Sequence, residues 1–327
     1  MGKLDVHAHA VVACTGARAE RMTHELIVKE GFAGRVPGAG WSVEGALQFM
    51  DAHDIALQLL SIPGALSPSE AHDWNGQAAE IVAKRPDRFG LLAALPLADT
   101  DSALAEVVQA DEELAADGFA IASNYDGCYL GDPRFEPVFA ELERRGLPVF
   151  VHPTLPPAFD MVGLGRPGPL FEYPVDTART ALDAIFSGLF LRHPGLAMIL
   201  AHAGGVLPAL SDRITMLGVQ SWVANPHKLT ATQLREQLAH LYLDTAIGGG
   251  PASITPAVAM VGEDHLVFGS DYPQAGVETI EETLRNLDRL GQSREKALQE
   301  TFASLFPAAA RRATGTSAAE WPTVPVD

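Results

Sequence analysis

The sequence predicts an α/β fold, a (β/α)8 TIM barrel built as a single domain. Eight short apolar runs rich in Val, Ile, Leu and Phe alternate with amphipathic segments, which is the pattern of repeated β-α units around a parallel sheet. The chain has 327 residues, of which 47% are hydrophobic, and α/β barrels commonly reach this size as one domain. Eight strands with eight crossovers therefore indicate a closed barrel.

The predicted strands follow one another with room for one helix between each pair. They are KLDVHAH (3–9), IALQLLSIP (55–63), FGLLAALPL (89–97), GFAIASNY (118–125), LPVFVHPT (147–154), LAMILAHAGG (196–205), LYLDTAI (241–247) and HLVFGSDYP (265–273). Amphipathic periodicity predicts helices at 102–117, 132–146 and 279–290. Asp132 followed by Pro133 is typical of a helix start.

One domain is predicted over 1–312, since neither an internal repeat nor a linker divides the chain. Residues 10–40 and 154–173 are Gly- and Pro-rich connections that follow the first and fifth strands. We expect both to form lids over the C-terminal mouth, where the ligands of such barrels bind. Residues 313–327 are predicted to form a loosely packed C-terminal tail.

Composition excludes several classes of partner. The formal net charge of −18 argues against nucleic acid and anionic membranes, because both require a positive protein surface. The chain shows neither an apolar run of about 18 residues nor the layout of a signal peptide. Cys14 and Cys128 are too few for a disulfide framework. The expected location is cytoplasmic.

Four of the predicted strands end in side chains that bind metals or move protons. These side chains are His7 and His9 in the first run, His152 in the fifth, His202 in the sixth and Asp271 in the eighth. Strict alternation along the first run would place Asp5, His7 and His9 on one face. In a barrel all these strand ends meet at one opening. Three histidines from this set, together with the carboxylate, would form a complete shell for one divalent metal, with a position left for water or substrate.

The motifs DVHAHA (5–10), FVHPT (150–154), LAHAGG (200–205) and VFGSDYP (267–273) resemble the amidohydrolase superfamily. Within it they resemble the aminocarboxymuconate-semialdehyde decarboxylase-like branch, over about residues 3–305. The stretch 123–154 is most similar to bacterial relatives of 6-methylsalicylate decarboxylase. The resemblance implies a metal site whose ligands are His7, His9, His152 and Asp271. It also implies that His202 is an unligated acid or base.

The resemblance also bears on substrate binding and assembly. Arg213 falls where relatives use an arginine that reaches the active site of a neighbouring subunit, which implies a homodimer or a higher homo-oligomer. The alternative for Arg213 is a surface arginine that forms a weak salt bridge. Asn124 and Tyr125, at the end of the fourth predicted strand, are candidates for substrate contact. Their alternative is a structural role, as a strand-capping Asn and a packed Tyr.

Two absences refine the predicted chemistry. The fourth strand has no lysine to bridge a second metal, so we predict one metal per chain, zinc or alternatively manganese. Ala46 stands where the muconate-semialdehyde enzymes carry an arginine, which disfavours a dicarboxylate substrate. The predicted activity is non-oxidative decarboxylation of a small aromatic or unsaturated monocarboxylic acid, of salicylate type, with the proton supplied by His202 or Asp271.

Two other functions remain open on the sequence alone. The first alternative is a hydrolase in which metal-bound hydroxide attacks a lactone or an amide, with His202 as the base. A weaker alternative is a metal-binding protein without catalytic activity. The same residues would serve each of them, so the products distinguish them: CO2 release marks the decarboxylase, and ring opening without carbon loss marks the hydrolase.

Overall fold

The computed structural model of the protein describes residues 2–11, 24, 27–33, 41–62, 64–289 and 291–315. Its strands are β1 Lys3–His9, β2 Ile55–Ser61, β3 Phe89–Ala94, β4 Gly118–Ala122, β5 Asn124–Tyr125, β6 Cys128–Tyr129, β7 Val149–His152, β8 Met198–Leu200, β9 Tyr242–Asp244 and β10 Leu266–Val267. The helices whose limits the structure defines are α1 Val43–Ala52, α2 Pro68–Lys84, α3 Thr100–Glu112, α4 Glu136–Arg145, α5 Phe159–Val162, α6 Glu172–Phe186, α7 Leu189–Arg192, α8 Leu207–Leu217, α9 Ala231–Ala239, α10 Pro251–Val261, α11 Val277–Asp288, α12 Gln292–Leu305 and α13 Pro307–Thr314.

The main sheet is a parallel barrel with the strand order β1-β2-β3-β4-β7-β8-β9-β10. Backbone hydrogen bonds close it between β1 and the segment after β10: Val6 N donates to Phe268 O at 2.9 Å, and Asp271 N donates to His7 O at 2.7 Å. Each of the eight predicted runs contains one of these strands, so the predicted TIM barrel is confirmed. All the strands run in one direction, and their carboxyl ends share one mouth.

The barrel buries apolar side chains on both faces of the sheet. One cluster lies between the strands and the helices, and a smaller one joins residues from strands around the whole barrel, which places it in the interior. Phe302 and Phe306 join the interior cluster from the C-terminal part of the chain. A Cβ atom added to Gly118, at the start of β4, would lie 3.2 Å from the Phe306 ring. The aromatic rings therefore fill the end opposite the mouth.

Local signals set several helix boundaries. Helix α2 begins after Ser67, which forms a capping box with Glu70 and is followed by Pro68 at the first helical position. The predicted helices at 102–117, 132–146 and 279–290 correspond to α3, to a 3₁₀ turn followed by α4, and to α11. Asp132 caps the 3₁₀ turn by accepting a hydrogen bond from Arg134 N, as predicted. Within the described part of the chain, no helix is long and apolar enough to cross a membrane.

The fourth strand is shorter than predicted. β4 ends at Ala122, whereas Asn124 and Tyr125 form a separate two-stranded hairpin with Cys128 and Tyr129. The turn residues Asp126 and Gly127 have φ angles of 50° and 82°, which is the backbone of a type I′ hairpin turn. The turn reverses the chain where continued parallel pairing was expected.

The two predicted lids and the tail are described to different extents. Most of 10–40 lies outside the described residues. Residues 154–173 contain α5 and a 3₁₀ turn at Gly168–Leu170. Tyr173, at the end of this stretch, packs edge-on to His152 with ring centroids 6.3 Å apart. The predicted tail is helical up to Thr314, and 316–327 lie outside the described residues.

Candidate metal centre

The barrel brings four predicted ligands to one point at its mouth. His7 and His9 lie on β1, His152 is the last residue of β7, and Asp271 follows β10. Each residue offers one ligand atom, and these four atoms lie within 4.8 Å of one another. All four residues are buried, with at most 7% of their surface exposed. The arrangement is a small polar cluster enclosed in an apolar barrel, at the place that the sequence predicted.

Hydrogen bonds at the Nδ1 atoms orient the three imidazole rings. His7 Nδ1 lies 2.6 Å from Asp244 Oδ2, and His152 Nδ1 lies 2.8 Å from the Pro153 carbonyl oxygen. Neither oxygen has a proton to give, so Nδ1 donates in both rings. His9 Nδ1 lies 3.0 Å from Ser61 Oγ, whose own proton goes to the Ala8 carbonyl oxygen. All three rings therefore turn Nε2 towards the cluster, and each ring offers a lone pair there when Nε2 carries no proton.

The donor set fits a divalent metal. His7 Nε2 and His9 Nε2 are 3.1 Å apart, and Asp271 Oδ1 lies 3.3 Å and 3.1 Å from them, respectively. Asp271 Oδ1 is buried and has no hydrogen-bond partner among the described residues. Lone pairs that converge in this way repel one another unless a cation lies between them. Nitrogen and carboxylate ligands of this kind suit zinc, and also manganese.

Burial and neighbouring charges shift the pKa values of the four residues when no metal is bound. Burial opposes a charged His7 ring, but the Asp244 and Asp271 carboxylates outweigh burial and raise the pKa of His7 to about 10. Burial lowers the pKa of His9, and burial with the neighbouring histidines holds the pKa of His152 well below its usual range. Burial alone would raise the pKa of Asp271, yet His7 holds that pKa well below its usual range. A bound divalent ion would replace the extra proton on His7.

His202 belongs to the same group of rings but lies at its edge. It begins the 3₁₀ turn after β8, and its ring centroid is 5.1 Å from that of His7. His202 Nε2 lies 3.5 Å from Asp271 Oδ2, the carboxylate oxygen that does not face His7 and His9. The His202 side chain keeps 12% of its surface exposed, so it borders the open part of the mouth. Its Nδ1 atom is buried and unpaired within the described residues.

His202 and Asp271 both adopt left-handed backbone conformations, with φ angles of 57° and 59°. This region costs a non-glycine residue on the order of 1–3 kcal/mol and is found most often at functional sites. Specific bonds hold both residues there. His202 N donates to Asp244 Oδ1 at 2.8 Å, and Asp271 N donates to the His7 carbonyl oxygen at 2.7 Å.

Asp244 is a functional residue that the sequence analysis missed. Its fully buried carboxylate accepts from His7 Nδ1 with one oxygen and from the backbone N–H groups of His202 and Ala246 with the other. Asp244 therefore fixes the tautomer of His7, a candidate ligand, and also the position of His202, the candidate acid or base. Its place at the end of β9 is the signal that could have revealed it.

Asp5 does not lie with the two histidines as strict alternation predicts. The β1–β2 pairing shifts register between Asp5 and Ala8, and this irregularity breaks the period of two. Asp5 instead accepts hydrogen bonds from Gln58 Nε2 at 2.9 Å and from Ser270 Oγ at 2.6 Å. Burial raises the pKa of Asp5 to about 6. The carboxyl group ties β1 to β2 and to the segment after β10, next to the site.

The two candidates for substrate contact are engaged by the protein itself. Asn124 Nδ2 donates to Leu155 O at 3.1 Å and to Asp176 Oδ2 at 2.8 Å. The Tyr125 hydroxyl donates to Leu95 O at 3.1 Å and accepts from Ala122 N at 3.2 Å. Both residues are at most 5% exposed. These contacts match the structural alternative, and a contact with substrate stays a prediction.

Arg213 lies outside the cluster. It is exposed on helix α8, where Leu210 and Met216, three residues before and after it, are 41% and 61% exposed. These three residues lie on the same face of the helix. The described part of the chain gives Arg213 no ion pair. Arg213 therefore faces solvent within a single chain.

A family model described as amidohydrolase matches residues 4–313. The chain belongs to the amidohydrolase family. A 6-methylsalicylic acid decarboxylase of Aspergillus aculeatus is 33% identical over 285 residues, which cover 82% of this chain and 86% of that protein. A 2,6-dihydroxybenzoate decarboxylase solved with 2,6-dihydroxybenzoate has a TM-score of 0.74 at 25% identity, with 97% of this chain and 100% of that chain covered.

A further solved structure shares the amidohydrolase fold. It is a dihydroxybenzoic acid decarboxylase of a Polaromonas species with bound manganese and the inhibitor 2-nitroresorcinol. Its TM-score is 0.76 at 21% identity, with 94% of this chain and 97% of that chain covered. The relatives confirm the resemblance to the decarboxylase-like branch that the four strand-end motifs indicate.

Proposed function

We propose that this amidohydrolase is a metal-dependent, non-oxidative decarboxylase of a small aromatic monocarboxylic acid of salicylate type. The observation that carries the proposal is the ligand group of three imidazoles and one carboxylate, with His202 beside it. The similar proteins are a 6-methylsalicylic acid decarboxylase and a 2,6-dihydroxybenzoate decarboxylase. Both substrates carry a hydroxyl group beside the carboxylate, which is the feature that we assign to the substrate of this chain.

One metal ion per chain would be held by Nε2 of His7, His9 and His152 and by Asp271. We propose zinc, because nitrogen ligands dominate the set, with manganese as the alternative that the Polaromonas structure contains. When bound, the metal supplies positive charge to the substrate carboxylate or its neighbouring hydroxyl and stabilises the negative charge that develops as CO2 leaves.

The protein must deliver one proton to the ring carbon that carries the carboxylate. The bond between this carbon and the carboxylate then breaks, its electron pair returns to the ring, and CO2 leaves. We assign the delivery to His202 Nε2 and Asp271 Oδ2, which are 3.5 Å apart and can share one proton. Asp244 positions His202 by accepting from its backbone N–H group. The partial exposure of His202 lets it meet a substrate that enters through the mouth.

We propose that the active unit is a homodimer or a higher homo-oligomer in which Arg213 binds the substrate carboxylate of a neighbouring subunit. A planar guanidinium binds a carboxylate with two hydrogen bonds. Its position between exposed Leu210 and Met216 supports the proposal, because apolar side chains around a charged group favour a protein interface. A cytoplasmic location belongs to the same proposal and is supported by the presence of only two cysteines.

Product analysis tests the proposed function. The protein is loaded with one equivalent of Zn2+ or Mn2+ and incubated with salicylate, 6-methylsalicylate, 2,6-dihydroxybenzoate and a set of aromatic lactones. We expect one CO2 and one phenol for each hydroxybenzoate consumed. Lactone opening without CO2 would favour the hydrolase, for which the same residues would suffice. Metal-loaded protein that transforms none of these compounds would contradict both enzymatic functions.

A further inference from the structure

A buried carboxylate on helix α6 lies behind the metal centre, and the proposed reaction does not use it. Asp176 is 0% exposed, and each of its oxygens accepts two hydrogen bonds. Oδ2 accepts from Ser123 Oγ and from Asn124 Nδ2, the latter at 2.8 Å. Oδ1 accepts from Tyr129 Oη at 2.7 Å and from Arg179 Nη1 at 2.8 Å. The two oxygens connect to different parts of the protein.

The Oδ2 side reaches the peptide that follows His152. A carboxylate only accepts hydrogen bonds, so the Ser123 hydroxyl donates its proton to Asp176. The Ser123 oxygen keeps its lone pairs for other donors. Thr154 N donates to that lone pair at 3.0 Å. Asn124, the second donor to Oδ2, also binds the Leu155 carbonyl oxygen at 3.1 Å. The Oδ2 side thus fixes residues directly after Pro153.

Pro153 is the residue that orients the His152 ring. Its carbonyl oxygen accepts from His152 Nδ1 at 2.8 Å, which leaves Nε2 to face the metal centre. Ser123 N donates to the His152 carbonyl oxygen at 2.9 Å, so Ser123 also binds the peptide on the other side of Pro153. The Pro153 carbonyl is therefore held between two contacts of Ser123, and Asp176 sets the direction of one of them.

The Oδ1 side does not lead to the metal centre. Tyr129 lies on β6 of the hairpin, and Arg179 lies on α6 three residues after Asp176 with 43% of its side chain exposed. Neither residue has a hydrogen bond to the segment 152–155 within the described part of the chain. Ser123 and Tyr129 therefore form a matched pair, because each donates one hydroxyl to the same carboxylate and only Ser123 continues to His152.

We propose that Asp176 is a positioning residue for the metal ligand His152 and acts through Ser123. By accepting the Ser123 proton it makes Ser123 an acceptor for Thr154 N, and the fixed peptide then holds the Pro153 carbonyl against His152 Nδ1. The inference rests on the metal site of the proposed function. It gives a role to the SNY (123–125) and YPVDT (173–177) stretches.

The test measures metal binding rather than turnover. Zn2+ affinity is determined by competition with a chromophoric chelator, and the visible spectrum of the Co2+-loaded protein reports the geometry of the ligands. The variants are Ser123→Ala, Tyr129→Phe, Asp176→Leu and the double variant Ser123→Ala/Asp176→Leu. Asp183→Asn is the control, because Asp183 lies on the same helix and accepts a hydrogen bond from Gly131 N, two residues after the hairpin, at 2.8 Å.

We expect Ser123→Ala and Asp176→Leu each to weaken Zn2+ binding by about 10-fold, the lower end of the range for groups that orient a ligand, and to change the Co2+ spectrum alike. Because Asp176 acts through Ser123, the double variant should also lose about 10-fold, not the product of the two losses. Tyr129→Phe and Asp183→Asn should bind Zn2+ as the wild type does.

Three results would overturn the positioning role. They are equal Zn2+ affinities of Ser123→Ala and Tyr129→Phe, wild-type affinity of a folded Asp176→Leu variant, and additive losses in the double variant. If Asp176→Leu does not fold, the Ser123→Ala and Tyr129→Phe pair decides the question by itself. Wild-type protein that binds no metal would instead contradict the metal site, and the proposed function would fail with it.

Discussion

The metal centre and the exposed face of helix α8 differ in how far one chain completes them. At the metal centre each imidazole has a partner from the same chain that fixes its orientation: Asp244 for His7, Ser61 for His9 and Pro153 for His152. On α8, by contrast, Arg213 is exposed to solvent and lies between the exposed apolar side chains of Leu210 and Met216. From this difference we propose that metal binding and proton delivery use residues of one chain, whereas the carboxylate anchor acts across an interface.

We expect the largest loss of metal affinity from a substitution of Asp244. In the Asp244→Asn variant, the amide oxygen can still accept a hydrogen bond from His202 N. The amide nitrogen then faces His7 Nδ1. His7 Nδ1 must then accept a hydrogen bond, and its proton moves to Nε2, where it opposes metal binding. We expect Zn2+ affinity to fall by about 100-fold, measured by chelator competition.

Asp73→Asn is the matched control for that experiment, because Asp73 is an exposed carboxylate on α2. The control should bind Zn2+ as tightly as the wild type. Wild-type Zn2+ affinity of Asp244→Asn would show that the His7–Asp244 hydrogen bond does not orient His7 for metal binding. It would contradict the proposal that partners from the same chain complete the metal centre.

A smaller effect is expected at Arg213. Loss of a charge-assisted pair of hydrogen bonds is worth about 1.5–3 kcal/mol, so Arg213→Ala should raise KM for a hydroxybenzoate by about 10- to 100-fold. Metal content should not change, because Arg213 lies outside the ligand group. Arg235→Ala, an exposed arginine on α9, serves as the control and should keep the wild-type KM.

Mixed oligomers test whether Arg213 acts across the interface. Arg213→Ala and His202→Ala chains, each impaired alone, should regain part of the activity when mixed, because some hybrid sites combine an intact His202 with an intact Arg213. A mixture that stays inactive after hybrids are shown to form would place both residues in the same site or remove Arg213 from it. A fully active monomer would also contradict the role of Arg213 across the interface.

The smallest effect on catalysis is expected at Tyr125. Tyr125→Phe removes the hydroxyl that bridges Ala122 N and Leu95 O, and an unpaired buried backbone group costs about 1–3 kcal/mol. The free energy of unfolding should fall by this amount in urea titrations, while KM stays at the wild-type value. A raised KM with unchanged stability would instead support contact of Tyr125 with substrate.

The strands and the four ligands could be predicted because both depend on local sequence and on the topology of one fold. A run such as LPVFVHPT is apolar enough to form a buried strand, and in a parallel barrel its final His152 has to lie at the mouth. His7 and His9 follow from the same reasoning. Once the fold is a barrel, residues 264 positions apart, such as His7 and Asp271, become neighbours.

The residues that orient the ligands could not be found in this way. Asp244 ends a strand as His152 does, but its role depends on which atoms it faces across the barrel. Asp5 does not share a face with His7 and His9 as predicted, because a register shift in β1 cannot be read from alternating residue types. The end of the fourth strand was misjudged because Asp126 and Gly127 turn the chain into a hairpin there.

The separation of His202 from the ligand group is tested most directly by comparing His202→Ala with His152→Ala. Metal content by elemental analysis and CO2 release from a hydroxybenzoate are measured on the same samples. His202→Ala should keep about one metal per chain and lose turnover by a factor of about 10²–10⁴, the range for a general acid or base. His152→Ala should lose the metal itself. Equal metal loss in both variants would make His202 a ligand and contradict the proposed division of roles.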